Sequence, residues 1–434
     1  NGVWMAKNNS FESPAWHESG HNNWTKIMGG DGMQIQIDNR NNNIVYTGLQ
    51  FGNYYRLNLT NESRKNIKPR HKFGDSPLRF NWQTPILLSP HNQDILYLGS
   101  NKLHRSFDKG DNWQEISSDL TNGGIKGNVP YGTITSFDES VFQFGKIIVG
   151  SDDGKISITE NSGDSWKLLS KDLPKNLWVS RVIFSKQRKN RIYISLNGYR
   201  FNDFTPYLYV SDDNGTSWTN ISSNLPLSPI NVIKEDFNKE EILYVGTDNG
   251  VFISLDSGKK WHPFTNSLNR VAVHDIVIHK ESNELLLGTH GRSIYKTNLK
   301  IFTDYLNNKV PDSKTTIVNI DDLTYRNTWG SISNRNQSVS LIYDKPQLDP
   351  RSFIQVDLFS ELADNFEFKI LNNDKRLLSS GEIKLDKGFN RLQILPVAEP
   401  SLNQKQRKKL GLTLKKADDG LSLIHISEPT RLPG

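Results

Sequence analysis

Ser106-Phe-Asp108-Lys-Gly110-Asp-Asn-Trp113 has the form S-x-D-x-G-x-x-W, and the pattern returns as Ser211-Asp-Asp213-Asn-Gly215-Thr-Ser-Trp218 and as Ser254-Leu-Asp256-Ser-Gly258-Lys-Lys-Trp261. A fourth copy, Thr159-Glu-Asn161-Ser-Gly163-Asp-Ser-Trp166, exchanges Ser for Thr and Asp for Asn. Each residue type has a physical reason. A Ser or Thr hydroxyl and an Asp carboxylate flanking a turn accept local backbone N–H groups, and Gly supplies a positive φ without steric cost. The Trp caps a core: burying about 150–250 Å² at about 25 cal/mol per Å² gives on the order of 4–6 kcal/mol as an upper bound. These tryptophans therefore read as architecture rather than as ligand-stacking groups.

Working outward, each box follows a β-rich pair such as Ile242-Leu-Tyr-Val-Gly-Thr-Asp-Asn-Gly-Val-Phe-Ile253, where an apolar strand meets a tight Asp-Asn-Gly turn and a second strand begins. Two strands, a turn and a box make most of one repeated unit. Alignment places units near 29–66, 80–118, 131–170, 178–223 and 229–266, with a last unit, 271–298, that has only inner strands. Internal repetition of this kind is the mark of an array or propeller. The chain is expected to be all-β, with a β-propeller over residues 1–300. The truncated piece Asn1 to Ile27, with Trp4, Trp16 and Trp24, points to an incomplete first blade, and a closed parent ring of about seven blades is expected within the usual range.

Composition narrows the function classes. The 434 residues are 35% hydrophobic and 10% aromatic, enough for one large or two smaller cores. No run of eighteen apolar residues is present, so no membrane insertion by a helix is expected, and the N-terminus shows no signal peptide. A net charge of +6 is scattered along the chain rather than gathered in a patch, which argues against nucleic acid. The absence of cysteine excludes disulfides, thiol catalysis and Cys-ligated zinc, and fits an exported bacterial protein. Leu421 to Gly434 (LSLIHISEPTRLPG) breaks the preceding pattern and resembles translated adapter sequence, so residues 421–434 read as a non-native tail in which His425 and Glu428 carry no function.

The segments Asn81-Trp-Gln-Thr-Pro-Ile-Leu-Leu-Ser-Pro90, Gly198-Tyr-Arg-Phe-Asn-Asp-Phe-Thr-Pro-Tyr-Leu-Tyr209 and Gly288-Thr-His-Gly-Arg-Ser-Ile-Tyr295 add specificity. With the boxes, they resemble large exported bacterial proteins of the sortilin-like BNR (Asp-box) repeat group, common in Bacteroidetes, over roughly residues 1–420. That resemblance implies a secreted, periplasmic or cell-surface location. Members are often labelled glycosyl hydrolases because sialidases and xyloglucanases also carry Asp boxes, but the repeat is scaffold and proves no chemistry. Residues 301–314 read as a linker. Residues 315–400 show alternation in Phe353-Ile-Gln-Val-Asp-Leu-Phe359 and Phe366-Glu-Phe-Lys-Ile-Leu371 that suits a small antiparallel β-sandwich. The segment 401–420, with its basic stretch from Gln404 to Lys416, reads as a solvated loop or short helix opening a further segment.

Function is expected on the propeller face formed by turns between first and second strands and by inter-blade links. The turns carry Gln50 to Asn53, Asn101 and Lys102, Asp152 and Asp153, Asn197 to Arg200, Asp248 and Asn249, and His290 with Arg292. The links add Gly29 to Gly32, Trp82, Tyr131, Trp178, Arg181 and His274. From this set, Trp82, Trp178, Arg181, Arg200, His290 and Arg292 are the ligand-binding candidates, suited to a sugar or peptide. Glycoside hydrolysis needs two carboxyls about 5–10 Å apart, and Asp31, Asp153 and Asp248 are the candidates. An Asp in an Asp-x-Gly turn is, however, more often turn chemistry. In the xyloglucanases that the repeats resemble, acid and base come from two propellers facing one cleft. Sialidases use an arginine triad with a Tyr–Glu pair, a partner motif that Arg181, Arg200 and Arg292 lack. No G-x-S-x-G elbow, H-E-x-x-H helix or phosphate-cradling loop occurs, the histidines do not cluster at ligand spacing, and no Asp-rich turn follows calcium-loop spacing, so no metal and no cofactor are expected. The reading is a non-catalytic recognition propeller for an extracellular peptide, protein or glycan. The alternative is a glycoside hydrolase of the xyloglucanase or sialidase kind. Oligomeric state is not readable.

Overall fold

A computed structural model describes residues 2–7, 24–125, 127, 129–264, 270–308, 314–320, 354–371, 377–394 and 423–427. Trp16 and the segment 401–420 lie outside them. The chain divides into two compact units: residues 1–261 with 270–280 and 285–296, and residues 262–269 with 281–284 and 297–434.

In the first unit a ribbon of β1 (Val3–Met5) and β2 (Thr25–Met28) precedes a series of antiparallel sheets, each laid out in chain order. Sheet 1 holds β3 (Gln36–Ile37), β4 (Ile44–Leu49), β5 (Asn53–Asn58) and β6 (Ser63–Asn66). Sheet 2 holds β7 (Ile86–Leu88), β8 (Leu96–Gly99), β9 (Leu103–Ser106) and β10 (Gln114–Glu115). Sheet 3 holds β11 (Ile134–Glu139), β12 (Ile147–Ser151), β13 (Ile156–Thr159) and β14 (Lys167–Leu168). Sheet 4 holds β15 (Trp178–Phe184), β16 (Ile192–Gly198), β17 (Asp203–Ser211) and β18 (Thr219–Asn220). Sheet 5 holds β19 (Ile230–Glu235), β20 (Leu243–Thr247), β21 (Gly250–Ser254) and β22 (Trp261–Pro263). Sheet 6 has three strands, β23 (Val273–His279), β24 (Glu284–Thr289) and β25 (Ile294–Asn298).

First strands neighbour first strands from sheet to sheet: β3 against β7, β11 against β15, β15 against β19 and β19 against β23. This is the radial stacking of propeller blades. Neighbours cover both faces of the inner strands of sheet 3: β11 and β12 are buried along their whole length, β12 as an apolar run and β11 with Thr135, Ser136, Asp138 and Glu139 buried in it. The fourth strands β6, β14 and β18 are short and exposed, as outer edges should be. Contrary to the expectation from the sequence, the Asp-x-Gly-type turns join second to third strands, not first to second, because each sheet has an additional inner strand with no turn signature of its own.

The boxes join third to fourth strands, and their hydrogen bonds follow the residue types. The Ser106 hydroxyl accepts from Gly110 N (2.8 Å) and Asp108 N (3.2 Å) and donates to Asp108 Oδ1 (2.7 Å), while Asp108 Oδ1 also accepts from Asn112 N (2.8 Å). These donors, the Asn112 side chain first, pull the Asp108 carboxyl down to about 2. Thr159 and Asn161 reproduce the pattern: Gly163 N reaches Thr159 Oγ1 at 3.0 Å and Ser165 N reaches Asn161 Oδ1 at 3.0 Å.

The boxes also suture the sheets. Each box Trp donates its indole N–H to a carbonyl of the preceding sheet: Trp113 to Ile67 (2.7 Å), Trp166 to Ile116 (3.0 Å), Trp218 to Leu169 (3.3 Å) and Trp261 to Ile221 (2.7 Å). The box Gly closes against the same residue. A Cβ added at Gly163, where φ is +102°, would fall 2.2 Å from the Ile116 carbonyl oxygen.

A second device recurs between sheets. The Glu139 carboxylate, at the end of β11, accepts from the Ser89 hydroxyl (2.6 Å) and the Tyr97 hydroxyl (2.9 Å) of sheet 2 and from Gly145 N (2.8 Å). Glu235, at the end of β19, likewise takes the Ser185 hydroxyl (2.7 Å), Lys186 N (2.7 Å) and the Tyr193 hydroxyl (3.3 Å).

His104 on β9 is 1% exposed and meets the Ser100 hydroxyl at 2.8 Å. Burial pushes its imidazole down from 6.5 to about 4. A base whose folded value lies below its unfolded value binds fewer protons when folded, so stability present above pH 6.5 is lost as pH falls toward 4, on the order of 3 kcal/mol in all. Urea midpoints at pH 7 and pH 4.5 should therefore separate more for the native chain than for His104→Gln. Equal separations would assign the acid sensitivity to other groups.

The second unit holds helix α1 (Lys300–Asn308), β26 (Thr315–Ile320), β27 (Ile354–Ser360), β28 (Asp364–Leu371), β29 (Leu377–Leu385), β30 (Gly388–Ile394) and β31 (Leu423–Ser427). The stretch expected as a linker thus contains a helix. Ile301, Phe302 and Tyr305 are spaced to share one face and are buried, and Asn298 Oδ1 accepts from Lys300 N at 2.8 Å at its start. The sheets run β26-β27-β30 and β29-β28-β31, and one apolar cluster draws on both through Val356, Leu358, Phe366, Ile370 and Leu385. The β31 segment falls in the stretch expected to be foreign. It pairs with β28 at a sheet edge, where any short apolar segment can satisfy open backbone groups.

Candidate ligand-binding face

Second-to-third strand turns and inter-sheet links lie at one end of the stacked sheets, opposite the boxes. Asp152 shows how the links are fixed there. Its buried carboxylate accepts from Gly132 N (3.0 Å), Thr133 N (2.9 Å) and the Thr133 hydroxyl (2.6 Å), and that hydroxyl accepts from Asn81 Nδ2 at 2.8 Å. Burial pushes the Asp152 carboxyl upward against these donors.

The three carboxylates considered for hydrolysis sit on sheets 1, 3 and 5, each separated from the next by a whole sheet. Asp31 is exposed and accepts from the Gln50 side chain. Asp153 is buried and holds the Ser151 hydroxyl (2.5 Å) and Asn122 N (2.7 Å), so both its oxygens are engaged by scaffold. Asp248 is half-buried and accepts from Asn231 Nδ2 (2.8 Å), whose Oδ1 in turn accepts from Asn197 Nδ2 (2.9 Å).

The cationic and aromatic candidates fall into three places. Trp82 is half-exposed and meets Phe51 edge to face, with centroids 5.1 Å apart. Arg181, on the first strand of sheet 4, pairs with Asp275 on the first strand of sheet 6 at 2.9 Å, across the space in front of sheet 5. His290 lies on the same side, 5.4 Å from the His274 ring, with exposed Arg292 two residues on. The Arg200 guanidinium carbon lies over the Trp178 ring, 3.9 Å from its centroid, and its charge is felt by Tyr131 on the preceding link. Beside it the turn exposes Tyr199, Phe201 and Phe204, at 60%, 58% and 45%. Of these neighbours Phe201 and Phe204 were not among the sequence candidates. Their signal was available: a run of aromatic residues at a turn that has no core to fill. Asp275 was missed because it sits inside an apolar strand.

The family model described as "Sortilin, neurotensin receptor 3" matches residues 206–348. Over those residues the chain is sortilin-like. No curated protein matches it in sequence. Among solved structures, the propeller is similar to the GH74 xyloglucanase from Xanthomonas campestris, with 18% identity and a TM-score of 0.47 over 60% of this chain and 44% of that one. A GH74 enzyme of Niastella koreensis matches with 12% identity and a TM-score of 0.31, over 64% and 55% of the two chains. YCF48 bound to D1 peptide matches with 11% identity and a TM-score of 0.42, over 86% and 93%. The chain thus spans about half the length of the two GH74 enzymes. Among the described residues no group of three His, Asp or Glu side chains could hold a metal ion, and no helix is long and apolar enough to cross a membrane.

Proposed function

We propose that this chain is a non-catalytic recognition propeller, secreted or held at the cell envelope, that binds an extracellular peptide, protein or glycan on the face of its second-to-third strand turns. Its parent ring has about seven blades, and the second unit is a β-sandwich that acts as a spacer or docking module. One contrast carries the reading. On this face the carboxylates answer to scaffold donors, whereas Trp82, Arg200 and the aromatics beside it face solvent. Exposed Trp, Tyr and Arg are the residue types that dominate binding energy at interfaces, while a glycosidase needs two free carboxyls placed as a pair.

The test is a reducing-sugar assay on plant and microbial polysaccharides, run beside glycan and peptide arrays, with the chain and its Asp31→Asn and Asp248→Asn variants. Binding without turnover, unchanged by either substitution, is the expected result. Sugar release that Asp248→Asn abolishes would replace this reading with hydrolysis.

A further inference from the structure

Sheet 4 carries the longest second-to-third strand hairpin of the first unit, with β16 at 7 and β17 at 9 residues. Pairing breaks at a bulge after Leu196–Tyr207 and resumes at Gly198 and Asp203, and Asn202 completes the turn at a φ of 58°. This bulged tip exposes Tyr199, Phe201 and Phe204 beside the Arg200–Trp178 stack. Contiguous exposed apolar patches of this kind mark interaction sites.

Arg200 is not paired with the hairpin's own carboxylate, Asp203, which accepts instead from the Tyr207 hydroxyl (2.7 Å) and Thr205 N (3.0 Å). Two other arginines near this face have acids, Arg79 on Asp119 at 2.6 Å and Arg181 on Asp275 at 2.9 Å. Among the described residues no carboxylate pairs with Arg200. Stacking on Trp178 orients the guanidinium while leaving its fork open to a carboxylate, the geometry it recognises best. The rings also choose between ligands. Tyr199 and Phe204 meet at 79° with centroids 6.3 Å apart. Rings set edge to face do not make the flat floor on which a sugar chain stacks.

We propose that the sheet 4 hairpin tip docks an acidic polypeptide segment, taking an apolar side chain between Tyr199, Phe201 and Phe204 and an adjacent Asp or Glu on Arg200. This rests on the recognition reading above and deepens it. The chain's positive net charge would steer such a partner toward it.

The probe is a set of fluorescent twelve-residue peptides with a central Phe-Glu pair, against the same peptides with Phe-Gln, Ala-Glu and Phe-Lys, read by fluorescence anisotropy. Phe-Glu peptides should bind and weaken with added salt, and each exchange in the peptide should cost about tenfold or more. Arg200→Gln should remove the preference for Glu over Gln, and Phe201→Ala should remove that for Phe over Ala. Both residues are exposed, and unchanged thermal unfolding will show that the variants fold. Failure of every Phe-Glu peptide to bind, equal binding of Glu and Gln peptides, or displacement by polygalacturonate alone would each overturn the proposal. Self-association lost with Phe201→Ala would do the same, because the occupant would then be a second copy. Array binding that depends on Trp82 and ignores Arg200 would remove this inference and leave the recognition propeller standing.

Discussion

Trp261→Ala is expected to lower the unfolding free energy by about 4 kcal/mol, the largest loss among the four box tryptophans. Trp261 is 1% exposed, whereas Trp113, Trp166 and Trp218 are only partly buried. Its ring sits in a cluster with Leu208, Ile221 and Ile233, its indole N–H reaches the Ile221 carbonyl at 2.7 Å, and its backbone pairs with the Asn224 side chain on both sides, at 2.7 and 2.8 Å. Removing it opens a cavity and leaves the Ile221 carbonyl without its indole donor. Trp218→Ala, with a longer bond of 3.3 Å and a partly exposed ring, should cost about half as much. Urea unfolding followed by circular dichroism measures both. Equal losses would mean that burial depth does not rank the boxes. A loss below about 1 kcal/mol at Trp261 would remove the suture from the account of stability.

That ranking was not legible in the sequence, although the boxes were. A box is a local device: Ser, Asp and Gly bond within eight residues, so their spacing shows itself in the chain. What the Trp meets is Ile67, Ile116, Leu169 or Ile221, some 40 to 50 positions earlier, as the separations of these bonds record. No local pattern points that far. The inner strands were hard to place for a related reason. Ile86–Leu88 is a short apolar run and Ile230–Glu235 mixes apolar with polar residues, both without a turn signature, and sheet 1 carries no box at all.

The candidate face was partly legible. Trp82, Trp178 and Arg200 are indeed at the expected end of the sheets, because turn position fixes which end a residue occupies. Turn position does not fix whether a side chain points outward. Asp153 turns inward to Ser151 and Asn122, and only the path of the preceding link decides that. Arg181 is likewise committed to Asp275, a partner 94 residues away.

Long-range polar contacts of this kind also set the second large expectation. Glu139→Ala should destabilise the chain by about 3–5 kcal/mol, from unsatisfied buried donors and a cavity, and Glu139→Gln by about 1–3 kcal/mol. Glu139 is 0% exposed, and its two oxygens collect the hydroxyls of Ser89 and Tyr97 from the neighbouring sheet and the amide of Gly145 from its own. Alanine would strand all three donors in a dry site and add a cavity. Glutamine keeps the shape and one acceptor oxygen, but turns an NH2 toward a donor. The two variants therefore separate lost acceptors from lost volume, and a double-mutant cycle with Tyr97→Phe isolates the coupling across the sheet boundary. Coupling near zero would mean that sheets 2 and 3 are held by apolar packing and the box sutures alone. Coupling of about 1 kcal/mol or more would make the buried carboxylate a register device, since Glu235 holds Ser185 and Tyr193 in the same way between sheets 4 and 5.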